Sequence, residues 1–444
     1  TPKEMLEGFS NKGMITVALL FLVSEGIRQS GTLGQVIKKL LPQGKTTVFK
    51  AQLRILPSVA FISAFLNNTP VVVIFAPIIK HWAKSVNLPA TKFLIPLSYV
   101  TILGGICTLI GTSTNLVVHG MILEAGFEGF SMFELGKVGI FIAIAGIIYI
   151  FLFSKRLLPD ARPDTAVPDE EVEEGEKLHR VEAVLGARFP GINKKLKDFN
   201  FQRHYGAEVK EIKTRNGQRF VSNLEDVVLH EGDTLVVMAD DTFIPTWGES
   251  SVFVLLTNGN EPDTTGKKKK RWFALLLLVL MIVGATVGEL PITKEMFPDI
   301  KLDMFFFVSI TTIIMAWTNL FPARKYTKYI SWDILITIAC AFAISKAMVN
   351  SGVADSVAKF IIGLSDDYGP HVLLAMVFII TNLFTELITN NAAAALAFPL
   401  ALSISAQLGV SPTPFFVVIC MAASASFSTP IGYQTNLIVQ GIGN

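Results

Sequence analysis

Charge is scarce in this sequence. Only 17% of the 444 residues are charged and the net charge is +2, too balanced to suggest a nucleic-acid partner. Cysteine is nearly absent. Cys107, Cys340 and Cys420 are far apart, each in an apolar stretch, and read as small buried residues rather than a disulfide or metal site. The six histidines form no H-x-x-x-H pair or similar ligand spacing. With no nucleophile–base pair and no metal cluster, the sequence argues against an enzyme and against an organic cofactor. No secretory leader is visible, and the chain begins at Thr1 rather than Met.

The charges that are present lie mostly in one block. Between Lys155 and Arg271, 117 residues hold 40 of the 74 charged side chains. Elsewhere about one residue in ten is charged, a membrane-like density. Runs such as "VGIFIAIAGIIYIFLF" (Val138 to Phe153), "WFALLLLVLMIVGATVG" (Trp272 to Gly288) and "MFFFVSITTIIMAWTNLF" (Met304 to Phe321) approach the roughly 20 apolar residues that span a bilayer. The fold class is therefore an α-helical polytopic membrane protein, which implies membrane lipid as its surroundings.

Polar residues interrupt two apolar runs in the same way. "FLNNTPVVVIFAP" (Phe65 to Pro77) is echoed by "ITNNAAAALAFP" (Ile388 to Pro399). The echo belongs to a longer duplication. "FLVSEGIRQSG" (Phe21 to Gly31) corresponds to "FAISKAMVNSG" 321 positions later, and "GTSTNLVVHG" (Gly111 to Gly120) to "GYQTNLIVQG" at the same offset. Lys38, Lys39, Lys45, Lys50, Lys80, Lys84, Lys92, Arg324, Lys325 and Lys328 flank connections assigned to the cytoplasm; acids mark the opposite ones. If the asparagine segments are re-entrant hairpins, four spanning segments separate the two copies. The repeats are then inverted, as in alternating-access transporters. Completing both repeats would take two more helices before Thr1 and one after Asn444.

A broken helix at membrane depth is tolerated where its freed backbone groups line a cavity or are buried in protein. Asn and Thr oxygens suit a hard cation such as sodium, and helix N-termini suit an anion. Asn and Thr also serve as hydrogen-bond glue between helices, but four motifs in two symmetric pairs favour a site. Glu386, four residues before Asn390, is either a cation or proton ligand or a carboxylate paired across a helix contact. Glu25 and Lys346 occupy matched positions, as an ion pair between halves or as charges snorkelling at helix ends.

At Asn67-Asn68-Thr69, Thr389-Asn390-Asn391 and the two Gly-led motifs, the chain resembles the divalent anion/sodium symporter family. Both tips depart from that family's Ser-Asn-Thr pattern while keeping the central Asn68 and Asn390. The resemblance implies a homodimer with two re-entrant hairpins, moving as an elevator against a scaffold. It implies sodium ions at Asn67, Asn68, Gly111 and Thr112 and at Thr389, Asn390 and Gly432. The dianion is then held by Asn68, Thr69, Asn390, Asn391, Thr114, Asn115, Thr435 and Asn436, without Arg or Lys.

The charged block reads as a soluble α/β insert. "AEVKEIK" (Ala207 to Lys213) alternates like a strand, Asn216-Gly217 signals a hairpin turn, and "GDTLVVMA" (Gly232 to Ala239) reads as turn then strand. "FNFQRHYGAEV" and "VVLHEGDTLVVMADD" resemble the TrkA-C domain of potassium-conductance regulators, which implies a small regulatory ligand such as a nucleotide; a plain dimerisation module is the alternative. The expected domains are membrane repeat 1 (1–154), an acidic linker (155–177), the cytosolic TrkA-C-like domain (178–262) and membrane repeat 2 (263–444). The reading is a sodium-coupled symporter of a small divalent anion, sulfate first, in the plasma or inner membrane with the insert cytoplasmic. A di- or tricarboxylate transporter, a cation/proton antiporter centred on Glu386 and a potassium channel are the alternatives; a channel would need repeated pore-loop filters.

Overall fold

Asn11 opens the first long helix. Its Oδ1 accepts from the amides of Gly13 and Met14, capping α1 (Lys12–Gln29). The computed structural model describes the whole chain except residues 1, 161–177, 187, 216–217, 241–242, 248–251, 258–267, 297–299, 364–368, 431 and 444. After α1 come α2 (Thr32–Leu40), α3 (Val48–Ser63), α4 (Asn68–Ser85), α5 (Thr91–Gly105), α6 (Ser113–Glu124) and α7 (Gly136–Leu157). The insert follows, and then α8 (Lys268–Gly288) and α9 (Met304–Trp317). The chain continues through α10 (Trp332–Asn350), α11 (Val353–Gly363), α12 (Gly369–Leu387), α13 (Asn390–Leu408), α14 (Thr413–Ser424) and α15 (Gln434–Gly443).

The duplication seen in sequence reappears element by element. Helices α1 to α6 correspond in order to α10 to α15. Gly31, which enters α2 at φ 71°, is matched by Gly352 before α11 at φ 73°, both left-handed positions that glycine takes without strain. Pro77 inside α4 is matched by Pro399 inside α13. Among the described residues, five helical stretches are long and apolar enough to cross a membrane, or six if the bent pair around Ile330 is one span. They include α7, whose Ile140, Phe141, Ile144, Ile148 and Leu152 face outward, as they would toward lipid. This is a multi-pass membrane protein. The expected Met304-to-Phe321 span ends earlier, at Trp317, where Asn319 turns left-handed at φ 52°.

Two readings need correction. Cys340 is exposed on α10 and Cys107 half-buried, so only Cys420 is the buried residue expected of all three. In a membrane protein an apolar run faces the outside as readily as the core. Glu25 does not reach Lys346. Its carboxylate accepts from both arms of Arg28 at 2.7 Å and from Gln29 Nε2 at 2.6 Å, one turn along its own helix.

The insert is a five-stranded antiparallel sheet in the order β3-β2-β4-β1-β5, with β1 (His179–Leu185), β2 (Glu208–Lys213), β3 (Arg219–Phe220), β4 (Thr234–Ala239) and β5 (Phe253–Thr257). Val181, Leu185, Phe189, Leu235, Val237 and Phe253 are part of its own core. The strands expected at Ala207–Lys213 and Gly232–Ala239 are β2 and β4. The Asn216-Gly217 turn and the acidic stretch Pro163–Lys177 lie outside the described residues. The sheet rests on two helices, α4 and α15. Glu182 pairs with Lys80 of α4 and with Lys213, each at 3.3 Å. On α15, the Gly441 carbonyl accepts from Thr234 Oγ1 at 2.8 Å, and Gln440 Nε2 donates to the Arg215 carbonyl at 2.7 Å. A methyl on Gly441 would meet Val184 at 2.9 Å, so glycine permits this approach.

Candidate functional site

Each half makes its site from two helix interruptions. Between α3 and α4 the chain turns at Ala64–Asn67, leaving Asn68 as the first residue of α4; between α5 and α6 it unwinds from Ile106 to Thr112. Ser63 Oγ closes the first turn, donating to the Thr101 carbonyl at 2.9 Å with the Asn68 amide 2.7 Å away. Asn115 closes the second: its Nδ2 donates to the carbonyls of Gly105 at 3.3 Å and Thr108 at 2.8 Å.

The other half repeats these bonds 321 or 322 positions later. Thr385 Oγ1 lies 2.9 Å from Asn390 Oδ1 and donates to the Ala423 carbonyl at 2.6 Å. Asn436 Nδ2 donates to the carbonyls of Ser426 at 2.8 Å and Thr429 at 3.3 Å. Two copies of one hydrogen-bond pattern thus stand where the sequence placed the paired motifs.

Asn68 is fully buried, and one arm of its amide faces only oxygens: Ser63 Oγ at 2.7 Å, the Thr101 carbonyl at 3.0 Å and the Gly111 carbonyl at 3.2 Å. The other arm meets Tyr433 Oη at 2.7 Å. With nitrogen in the first arm, the amide donates to those oxygens. With Oδ1 there, four oxygens converge, a set that a bound cation satisfies. Glycine at 111 is required by packing, since an added methyl would lie 2.4 Å from the Gly105 carbonyl.

The two halves interlock at these points. Tyr433 Oη, beside Asn68, is also 3.2 Å from Thr112 Oγ1. Thr69 Oγ1 donates to Gln434 Oε1 at 3.2 Å. Reciprocally, Asn391 Oδ1 accepts from Thr114 Oγ1 at 3.1 Å and Ser113 Oγ at 3.3 Å. Ser98 Oγ bridges Thr435 Oγ1 at 2.9 Å and Asn436 Oδ1 at 2.6 Å. The tip of each half therefore touches the broken helix of the other. Thr389 caps α13 by accepting from the Ala392 amide at 3.4 Å, and Gly432 donates its amide to Thr429 Oγ1 at 3.1 Å. Asn67 sits apart, on the wall of a cavity shared with Val17, Leu20, Ser24, Phe65 and Ser113.

Glu386, at the end of α12, reaches into the break between α14 and α15. Its carboxylate accepts from the amides of Ser428 at 3.1 Å and Thr429 at 3.0 Å, and from Thr429 Oγ1 at 2.8 Å. In the first half Ala64 stands at this position, and its carbonyl accepts from Thr108 Oγ1. Sequence reading missed Ser63, Thr385, Ser98 and the Tyr433 hydroxyl. Ser63 and Thr385 were findable, because both hydroxyls precede the central asparagine by five residues.

Comparison with known proteins settles the family. A family profile described as "Citrate transporter" matches residues 1–422. The chain belongs to the citrate transporter family. It is a transporter and not an enzyme, and its likeness to divalent anion/sodium symporters holds at family level. An uncharacterized transporter of Synechocystis sp. is 29% identical to this citrate transporter family member over 100% of the chain and 86% of its own length. A putative sulfur deprivation response regulator of Chlamydomonas reinhardtii is 27% identical over 99% of the chain and 90% of its own length. Sodium/sulfate cotransporter 1 of the same alga is 33% identical over 57% of the chain, which is 28% of that protein.

Proposed function

We propose that the protein is a sodium-coupled symporter of a small divalent anion, with sulfate as the first candidate. One observation carries the reading: Ser63 Oγ and the carbonyls of Thr101 and Gly111 converge on the Asn68 amide, and Thr385 Oγ1 repeats the arrangement with Asn390 Oδ1 and the Ala423 carbonyl, both set where the tips and broken helices of two repeats meet. Neutral oxygens at such spacing suit sodium. The anion then lies between the tips, against hydroxyls, amides and the N-terminal ends of α4, α6, α13 and α15. Thr69, Thr114, Asn391 and Thr435 supply its donors, with Asn115 and Asn436 fixing the backbone behind them. Relatives named sodium/sulfate cotransporters and a sulfur deprivation regulator support sulfate, while a relative named a sodium-dependent dicarboxylate transporter keeps a dicarboxylate as the alternative.

The mechanism in this proposal is an elevator movement of the two hairpin units in a homodimer, within the plasma or inner membrane. The sheet domain is a cytosolic TrkA-C-like regulatory module able to bind a small ligand. Glu386 holds the second break by its three hydrogen bonds, which argues against a proton or cation role. The test is thermal stabilisation of the purified protein by sodium with sulfate, by sodium with succinate and by potassium alone, followed by uptake into proteoliposomes. Sodium-dependent sulfate uptake that disappears in both Asn68→Ala and Asn390→Ala, with folding intact, supports the reading. Near-normal uptake in both variants overturns it.

A further inference from the structure

The halves part company at one position beside the oxygens. In the first half Gly105 lies against the Asn68 amide, and a methyl added to it would meet Asn68 Oδ1 at 2.5 Å. Its counterpart 321 positions on is Ser426. The Ser426 carbonyl accepts from Asn436 as the Gly105 carbonyl accepts from Asn115, so the backbones superimpose in role. The side chain is the difference. Ser426 is 0% exposed, and among the described residues its Oγ has no hydrogen-bond partner.

That oxygen points at the second break. A methyl built on Gly432 would lie 2.0 Å from Ser426 Oγ, 3.0 Å from Thr429 Oγ1 and 3.2 Å from the Thr385 carbonyl. Neighbouring donors are engaged elsewhere: Thr385 Oγ1 with the Ala423 carbonyl, Asn436 Nδ2 with two carbonyls, and the Gly432 amide with Thr429. A fully buried hydroxyl in such a place calls for a partner.

We infer that Ser426 Oγ is an additional ligand of the cation held at Thr385, Asn390 and Gly432. The inference rests on the sodium reading above. The two cation sites are then chemically unequal: the second has one more neutral oxygen, where the first has only the hydrogen of Gly105. Ser426 therefore sets the affinity of the second site without touching the anion.

The experiment uses the purified full-length chain, with thermal unfolding followed as sodium chloride replaces choline chloride at constant ionic strength. Ser426→Ala and Ser426→Gly, the latter restoring the first half's own residue, should each raise the sodium concentration for half-maximal stabilisation about five- to tenfold, the loss of one ligand. The unfolding temperature in choline alone should stay at the wild-type value. If both variants keep a wild-type midpoint while Asn390→Ala shifts it, Ser426 is no ligand and the sodium reading survives. If neither Asn68→Ala nor Asn390→Ala changes the sodium dependence, the sodium reading fails and this inference falls with it.

Discussion

Ser63 and Thr385 do the same task in the two halves of the molecule. Each hydroxyl sits where a helix stops, and each holds an asparagine that begins the next helix. Ser63→Ala and Thr385→Ala should each weaken sodium-dependent uptake about tenfold in the sodium concentration needed, an effect on the order of 1–3 kcal/mol, as measured in proteoliposomes. Gly105→Ala tests the first site from behind, because its methyl would press on the Asn68 amide. Sodium affinity should fall there, and the unliganded protein should also unfold at a lower temperature, because the buried amide must shift to admit the methyl. The asparagines were legible because an amide in an apolar run is costly. The hydroxyls taken singly were not, since Ser and Thr can return a hydrogen bond to their own helix; only the shared spacing of Ser63 and Thr385 before the asparagines marks them. The carbonyls of Thr101 and Ala423 carried no signal, because any residue supplies one; Gly111 was marked by its motif.

At the scale of elements, the breaks depend on different supports in the two halves. A neutral Thr108–Ala64 bond steadies the first, and the Glu386 carboxylate steadies the second. Glu386→Ala should therefore raise hydrogen exchange at Ser428 and Thr429 and cut uptake at least about tenfold, with Glu386→Gln intermediate because one oxygen still accepts. Unchanged exchange at those amides would remove the role assigned to Glu386. The order of helices was readable from the repeat, down to Gly31 with Gly352. What escaped was which side of each helix faces outward. Cys340 shows why: apolar residues suit lipid and core alike, so hydropathy alone does not choose between them.

Across the whole molecule, the sheet domain and the membrane helices meet through Glu182. Burial pushes its carboxyl up, but Lys80 and Lys213 more than offset this and hold it below its ordinary range. An acid depressed in the folded state stabilises docking at every pH above its ordinary value, and that stability is lost as pH falls through the lower, folded value. Docking should thus be insensitive to pH around neutrality and loosen only in acid. Glu182→Gln should loosen it at neutral pH. Limited proteolysis of the sheet domain reads both, and equal cleavage of variant and wild type would discount the ion pair. Two strands of this domain, β2 and β4, were visible from alternation and turn residues, whereas β1, β3 and β5 were not. Its seat was not, because the contacts at Gly441 and Gln440 are made by backbone and amide groups with no pattern along the chain.

Asn68 heads α4, and Lys80 lies twelve residues further along it, about 18 Å away at the rise of an α-helix. The ion pair and both hydrogen bonds that anchor the sheet fall on α4 and α15, one tip helix and one break helix. One helix, with Pro77 inside it, thus joins the seat of the sheet to a residue of the first tip. The twins of these helices, α13 and α6, carry none of the three anchoring bonds. Two repeated halves are in this way given a handle on one side, and the molecule has a front and a back that its duplication alone would not supply.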